Sequence, residues 1–135
     1  MVDNVTPAAT WEALKADGNA CLVDVRTDME WNTIGIPDLG EAGKEPVLVQ
    51  WQVFPTMQVN DRFIDDLRDA GVTPDQTIYF LCRSGVRSMH AAHLAQSAGF
   101  TKVFNIADGF EGPPDGSGQR GTTAGWQADG LPWRK

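Results

Sequence analysis

The sequence predicts an α/β domain with a mostly parallel sheet. Short runs rich in β-branched and aromatic residues alternate along the chain with segments of helical periodicity, and parallel neighbours in a sheet require such crossover connections. A length of 135 residues fits one compact domain. The 18 acidic and 11 basic residues give a net charge of -7, which opposes binding to nucleic acid or anionic membranes through bulk electrostatics.

The first predicted elements are a helix, a strand and a second helix. Thr6 is placed to cap the first helix, and Pro7 suits its first position. The apolar run Cys21–Val25 has the length of a strand. Directly after it, Thr27 and Glu30 match the capping box of a helix N-terminus. We therefore expect the strand to lead straight into a short helix.

The middle of the chain predicts a loop, a strand and a helix. Glycines and a proline mark residues 35–40 as a loop, and the β-branched and aromatic run Val47–Phe54 indicates a strand. Asn60 is placed to cap a helix that continues to Ala70, with apolar residues at three- and four-residue spacing. Gly71 is expected to end it.

The last regular elements are a strand, a helix and another strand. Thr77–Leu81 is a dense apolar run, and we expect a helix from Val86 to about Ala98, closed by Gly99. Lys102–Ile106 has the composition of one more strand. In open parallel sheets ligands bind beyond the carboxyl ends of the strands, which directs attention to the segment that follows Leu81.

The residues best suited to catalysis follow that strand directly and continue into the start of the predicted helix. They are Cys82, Arg83, Ser84, Gly85, Val86, Arg87 and Ser88. Inward-pointing backbone amides, the helix N-terminus and two arginines all stabilise an anion, including a cysteine thiolate. Gly85 permits a tight turn, and Ser84 and Ser88 are each able to donate a further hydrogen bond. We expect Cys82 to be an ionised nucleophile within reach of solvent.

A cysteine after a strand is more commonly a small buried apolar residue. The two arginines, two serines and one glycine that follow Cys82 reverse that expectation here. Cys21 has apolar neighbours and is interpreted as core packing. Arg26 and Glu30, four residues apart, are expected to form an ion pair that fixes the turn between strand and helix.

Residues 82–88 resemble the active-site loop of the rhodanese family, Cys-Arg-Ser-Gly-x-Arg-Ser, and the match is complete. Leu22–Arg26 followed by Glu30-Trp31 resembles the family's Asp-Val-Arg and Glu-aromatic element, and Gly99–Asn105 resembles its last helix-to-strand step. The resemblance implies a three-layer fold, a five-stranded mostly parallel sheet with helices on both faces. It assigns residues 1–112 to a rhodanese-like domain, which leaves 113–135 as an extension rich in glycine and proline. Trp126 and Trp133 favour packing of this extension onto the same domain.

The resemblance also implies an activity. A sulfane sulfur from thiosulfate or a similar small anion would pass to Cys82, giving a persulfide, and then to cyanide, a thiol or a protein acceptor. Residues 83–88 would bind the donor, and neither a cofactor nor a metal ion is expected. The chain shows no apolar stretch of membrane-spanning length and no pattern of a signal peptide, so we expect a cytoplasmic protein with no membrane or nucleic-acid partner.

Two alternatives remain open at this point. A related phosphatase or arsenate reductase would carry an arginine six positions after the cysteine, whereas Arg87 comes five after Cys82 and position 88 is Ser. A non-catalytic rhodanese-fold module for binding or regulation is the other alternative, and loss of the cysteine is its usual sign. Ile34–Leu39 departs from the family's Gly-His-Ile-Pro-Gly-Ala, which bears on local loop structure and substrate choice.

Overall fold

The computed structural model describes residues 2–135. In chain order its elements are β1 (Asp3–Val5), α1 (Pro7–Ala16), β2 (Ala20–Asp24), α2 (Asp28–Thr33), β3 (Ile36–Pro37), a 3₁₀ helix (Gly40–Ala42), β4 (Val47–Leu48), β5 (Gln52–Val53), β6 (Gln58–Val59), α3 (Phe63–Asp69), β7 (Thr77–Leu81), α4 (Val86–Ser97), β8 (Val103–Ile106) and β9 (Trp133–Arg134). Five strands form one sheet in the order β1-β8-β7-β2-β4, and all four pairings are parallel. The predicted α/β class and five-stranded parallel sheet are confirmed.

Alternate residues of the central strand β7 face two separate apolar layers. Ile78 and Phe80 join the cluster that contains α3 and α4 residues, whereas Tyr79 and Leu81 join the cluster that contains α1 residues. This follows from the two-residue period of a strand, which sends successive side chains to opposite faces. Because both faces are covered, β7 is buried from Ile78 to Leu81, and Cys82 follows directly at the carboxyl end of the strand.

The predicted helix starts are confirmed at α1 and α2. Thr6 Oγ1 accepts the N–H of Ala9 at 3.0 Å, and Pro7 occupies the first helical position. Thr27 and Glu30 form the expected capping box, in which each side chain accepts the other's backbone N–H. Polar side chains thus satisfy backbone donors that a helix N-terminus leaves free.

The prediction of a single strand over Val47–Phe54 is wrong. Only Val47–Leu48 pairs with the main sheet, and Gln52–Val53 instead pairs antiparallel with Gln58–Val59 in a separate hairpin. The fifth strand of the sheet is β1, which has two exposed residues and lies at the sheet's edge beside β8. Its polar residues carry no apolar pattern, because an edge strand buries little of its surface.

Two further boundaries differ from expectation. Asn60 is not the N-cap of α3, because the helix begins at Phe63 directly after Arg62, and the Asn60 side chain instead accepts the N–H of Arg62 and holds a turn before the helix. Within the predicted loop at residues 35–40, β3 pairs antiparallel with β9 from the end of the chain. The glycine ends of α3 and α4 are as predicted, with φ of 91° at Gly71 and 104° at Gly99.

The final segment of the chain lies against the face of the sheet that α1 covers. Trp126 is fully buried, its ring lies edge-on to Trp11 with centroids 6.1 Å apart, and its Nε1 donates to the Pro132 carbonyl at 2.7 Å. Gly112 has φ of 72°, and a Cβ there would overlap the backbone of Ala124. None of the helices in residues 2–135 has both the length and the apolar character to cross a membrane.

Candidate active site

The cysteine loop, residues 82–88, joins the carboxyl end of β7 to the first turn of α4. Gly85 has φ of 109°, a conformation that is unfavourable for residues with a Cβ. Its N–H donates to Cys82 Sγ at 3.1 Å. Ser88 Oγ lies 3.2 Å from the same sulfur. A backbone amide at a helix N-terminus and a hydroxyl therefore converge on the sulfur of Cys82.

Ser88 is held by Asn105, a residue of β8 that the sequence did not single out. Ser88 Oγ lies 2.5 Å from Asn105 Oδ1, while Asn105 Nδ2 donates to Gly85 O at 3.1 Å and to Asn4 Oδ1 at 2.9 Å. These two acceptors fix the orientation of the Asn105 amide. The single hydroxyl hydrogen of Ser88 then serves either the sulfur or Asn105, but not both at once.

Arg87 binds a carboxylate from another element. Its Nη1 and Nη2 donate to Glu30 Oε1 and Oε2 at 2.7 and 3.0 Å, and both side chains are largely buried. Burial would raise the pKa of Glu30. The hydrogen bonds and charge of Arg87, together with hydrogen bonds from Thr27, hold this pKa below its ordinary value. Burial likewise opposes the charge of Arg87, yet Glu30, Cys82 and Asp24 raise its pKa.

The expected ion pair between Arg26 and Glu30 is wrong. Arg26 binds Asp24 in the fully buried turn, with Nη2 to Oδ2 at 2.7 Å and Nε to Oδ1 at 2.9 Å. Its Nη2 also donates to the Gly35 carbonyl at 2.7 Å, and its guanidinium lies 4.3 Å from the centre of the Phe110 ring. The two-residue spacing places Asp24 beside Arg26, which leaves Glu30 free for Arg87.

The expectation that Cys82 lies within reach of solvent is also not met in this conformation. Cys82 is 1% exposed and contributes to the apolar cluster beneath α4. Its carbonyl accepts the N–H of Phe110 at 2.8 Å, and a Cβ on Gly109 would clash with the backbone of Cys82 and Arg83. The turn that follows β8 therefore covers the cysteine loop from outside, while the loop's own backbone surrounds the sulfur.

The residues of the cysteine loop separate into three groups. Arg83 and Arg87 line a cavity of about 550 Å³ between α2 and the β5–β6 hairpin. Ser84, Gly85 and Val86 line a second cavity of about 430 Å³ on the other side of the loop, and Val86 is 65% exposed. Ser88 is buried beneath the sulfur. The predicted substrate-binding residues thus do not share one pocket, and their roles stay predictions.

Cys21, the other cysteine, lies in a different environment. It is partly buried against the core, and this burial raises the pKa of its thiol to about 11, with Lys44 acting in the opposite direction. The interpretation of Cys21 as a packing residue is consistent with this protonated state. Across residues 2–135, no group of three or more His, Cys, Asp or Glu side chains is placed to hold a metal ion.

Comparison with known proteins places the chain in a family. The model of the STR4 middle domain matches residues 3–135. The crystal structure of Rv0390 from M. tuberculosis superposes with a TM-score of 0.90 at 45% identity, over 98% of this chain and 97% of that one. An uncharacterised protein of Rickettsia prowazekii is 36% identical over 99% of this chain and 98% of its own length.

One more relative carries the name of its domain family. The rhodanese-like domain-containing protein 4 of Arabidopsis thaliana, a chloroplastic protein, is 28% identical over 89% of this chain and 23% of its own length. The chain belongs to the rhodanese-like family.

Within this rhodanese-like site, sequence reasoning identified the cysteine loop but missed the residues that support it. The sequence predicts Glu30 in a capping box and in an ion pair with Arg26, and Asn105 in a strand, but it links neither residue to the cysteine loop. Asn105 did carry a signal, since it is a polar residue in a strand of a parallel sheet, near the edge where ligands bind. No pattern in the sequence indicates the ion pair between Glu30 and Arg87, because 57 residues separate them.

Proposed function

We propose that this rhodanese-like protein is a sulfurtransferase that carries a sulfane sulfur on Cys82. The observation that supports the proposal is the convergence of the Gly85 amide and the Ser88 hydroxyl on Cys82 Sγ, at 3.1 and 3.2 Å. These donors stabilise a thiolate before reaction and the terminal sulfur anion afterwards. The complete match of residues 82–88 to the family's loop supports the same assignment.

The proposed reaction has two displacements. The Cys82 thiolate attacks the outer sulfur of thiosulfate, an S–S bond forms to Cys82, and sulfite leaves with the electrons of the broken bond. A nucleophilic acceptor, cyanide or a thiolate, then attacks the outer sulfur of the persulfide, and Cys82 leaves as the thiolate. Because the first product departs before the acceptor reacts, ping-pong kinetics are expected.

The test is transfer of one sulfur from thiosulfate to the purified protein, followed by intact mass measurement. We expect one added sulfur in the wild type and in Cys21→Ser, and none in Cys82→Ser. Cys21 is the matched control, because its raised pKa keeps that thiol protonated near neutral pH. Subsequent addition of cyanide should remove the sulfur as thiocyanate. An adduct that persists in Cys82→Ser would contradict the assignment.

A non-catalytic binding module is the second candidate, and the 1% exposure of Cys82 favours it. Sulfur transfer requires that the loop admit the donor to Sγ. The rate of Cys82 alkylation by iodoacetamide near neutral pH separates the two functions. A thiol that resists both iodoacetamide and thiosulfate in the folded protein would support the module and eliminate the enzyme.

A further inference from the structure

The cavity between the cysteine loop and the β5–β6 hairpin is larger than the proposed donor requires. Its volume of about 550 Å³ falls in the range of sites for organic ligands. Thiosulfate and cyanide are small ions that would leave most of this space to water. The size of the cavity therefore points to an organic substrate, and its lining indicates which kind.

One wall of the cavity consists of apolar side chains that remain in contact with solvent. Met29 of α2 is 40% exposed, and Phe54 and Met57, from the turn between β5 and β6, are 44% and 37% exposed. Covering such surface with an apolar group is favourable, and methionine side chains adapt to groups of different shape. The wall is thus suited to an alkyl chain or an aromatic ring.

Backbone and side-chain hydrogen bonds hold this wall in place. The Met57 N–H donates to the Val53 carbonyl at 2.7 Å and closes the turn. At the base of the hairpin, Asn60 donates its backbone N–H to Trp51 O at 2.8 Å and its Nδ2 to Gln50 O at 3.0 Å. A ligand that enters the cavity therefore meets a preformed apolar surface, which lowers the entropic cost of binding.

The opposite side of the cavity carries one cation that the protein leaves uncompensated. Arg87 is neutralised by Glu30, whereas the Arg83 guanidinium has no ion pair or hydrogen bond within residues 2–135. Arg83 directly follows Cys82 in the chain, so an anionic sulfur drawn to Arg83 would lie at the cysteine loop, where Cys82 is buried beside the cavity without lining it. Glu111 also lines the cavity, and its carboxylate weakens this attraction.

We propose that this cavity binds the sulfur acceptor, and that the acceptor is a thiol with an apolar substituent. Its thiolate would face Arg83, and its apolar group would cover Met29, Phe54 and Met57. The acceptor thiolate attacks the outer sulfur of the Cys82 persulfide, a new S–S bond forms, and the bond to Cys82 breaks with its electrons leaving on Sγ. The transferred sulfur keeps its own negative charge, so the products are the acceptor's persulfide anion and the Cys82 thiolate, and no oxidant is needed. This inference rests on the proposed function.

The first test measures transfer from the Cys82 persulfide to ethanethiol, butanethiol and pentanethiol, with cyanide as the acceptor that lacks an apolar group. We expect kcat/KM to rise by about twofold to fourfold for each added methylene, as burial of that group predicts. In Phe54→Ser and in Met57→Ser this dependence on chain length should weaken. Val59→Ser is the matched control, because Val59 is 54% exposed on the same hairpin but does not line the cavity.

The second test measures binding without turnover. Hexanesulfonate, which has an anionic head and an unreactive chain, should bind the wild type and Val59→Ser more tightly than ethanesulfonate does, as measured by calorimetry. Phe54→Ser should lose most of that difference, and Glu111→Gln should bind both sulfonates more tightly. The inference would be overturned if sulfur passed to cyanide but kcat/KM did not depend on the chain length of the thiols, and if the two sulfonates bound equally. That result would leave the proposed function intact. Failure of transfer to every acceptor would instead refute the proposed function.

Discussion

Arg87 donates to both carboxylate oxygens of Glu30, over 2.7 and 3.0 Å, and thereby joins the cysteine loop to helix α2. Glu30 also caps that helix through Thr27, so one carboxylate fixes both a helix N-terminus and the first turn of α4. The pair neutralises one of the loop's two arginines. It consequently leaves Arg83 as the loop's free cation among the described residues.

The first prediction concerns the stability that this pair provides. Glu30→Gln should lower the free energy of unfolding by about 2 kcal/mol, because it leaves the largely buried Arg87 without its counter-charge. Urea unfolding measures the change. Glu12→Gln is the control, since Glu12 and Lys15 lie 2.8 Å apart but are exposed, and its effect should be about 0.5 kcal/mol or less. Equal losses in the two variants would contradict the structural role of the Glu30–Arg87 pair.

The second prediction follows from the direction of the Glu30 pKa shift. Its folded pKa lies below the ordinary value of 4.5, so between the two values the unfolded chain binds more protons. Stability from this group is complete above the unfolded pKa and is lost as pH falls through the folded pKa. The difference in unfolding free energy between wild type and Glu30→Gln should therefore be constant near neutral pH and narrow in acid. A difference that stays unchanged down to about pH 3 would contradict this linkage.

Two patterns that are each confined to one segment of the chain predict the structure correctly. The strand Thr77–Leu81 is a dense apolar run that is buried on both faces, and its predicted bounds are those observed. Thr27 and Glu30 are three residues apart, so their capping box depends on local geometry alone. The composition of Val47–Phe54 could not show where the strand ends, because Val49 and Trp51 still donate to the carbonyls of Asp24 and Val25, and only the following Gln52–Val53 enters the separate hairpin.

Contacts made by distant segments were not accessible to that reasoning. Arg26 was paired with Glu30 from their spacing, but the fold brings Arg87 to Glu30 and leaves Arg26 to Asp24. The burial of Cys82 escaped prediction for the same reason. The turn that encloses it follows β8, more than one element away along the chain.

The third prediction separates the two serines of the cysteine loop. Ser88 Oγ lies 3.2 Å from Cys82 Sγ, whereas Ser84 lines the second cavity. Ser88→Ala should slow the alkylation of Cys82 by about fivefold, because it removes the hydroxyl that serves the sulfur and Asn105 in turn, and loss of one hydrogen bond costs about 1 kcal/mol. Ser84→Ala should alkylate at the wild-type rate. The measurement is the time course of iodoacetamide labelling by mass spectrometry, and a slower Ser84→Ala with a normal Ser88→Ala would reverse the assignment.

The fourth prediction tests whether residues 113–135 fold together with the rest of the chain. Trp126 is fully buried, contacts Trp11 and donates to Pro132 O, so Trp126→Ala should lower the unfolding free energy by about 3 to 5 kcal/mol. Trp133, which is 40% exposed, is the matched control, and its replacement by alanine should cost much less. Both are measured by urea unfolding followed by far-ultraviolet circular dichroism. If the extension were only loosely attached, Trp126→Ala would leave the main transition unchanged, because a segment that unfolds by itself does not contribute to the cooperativity of the domain.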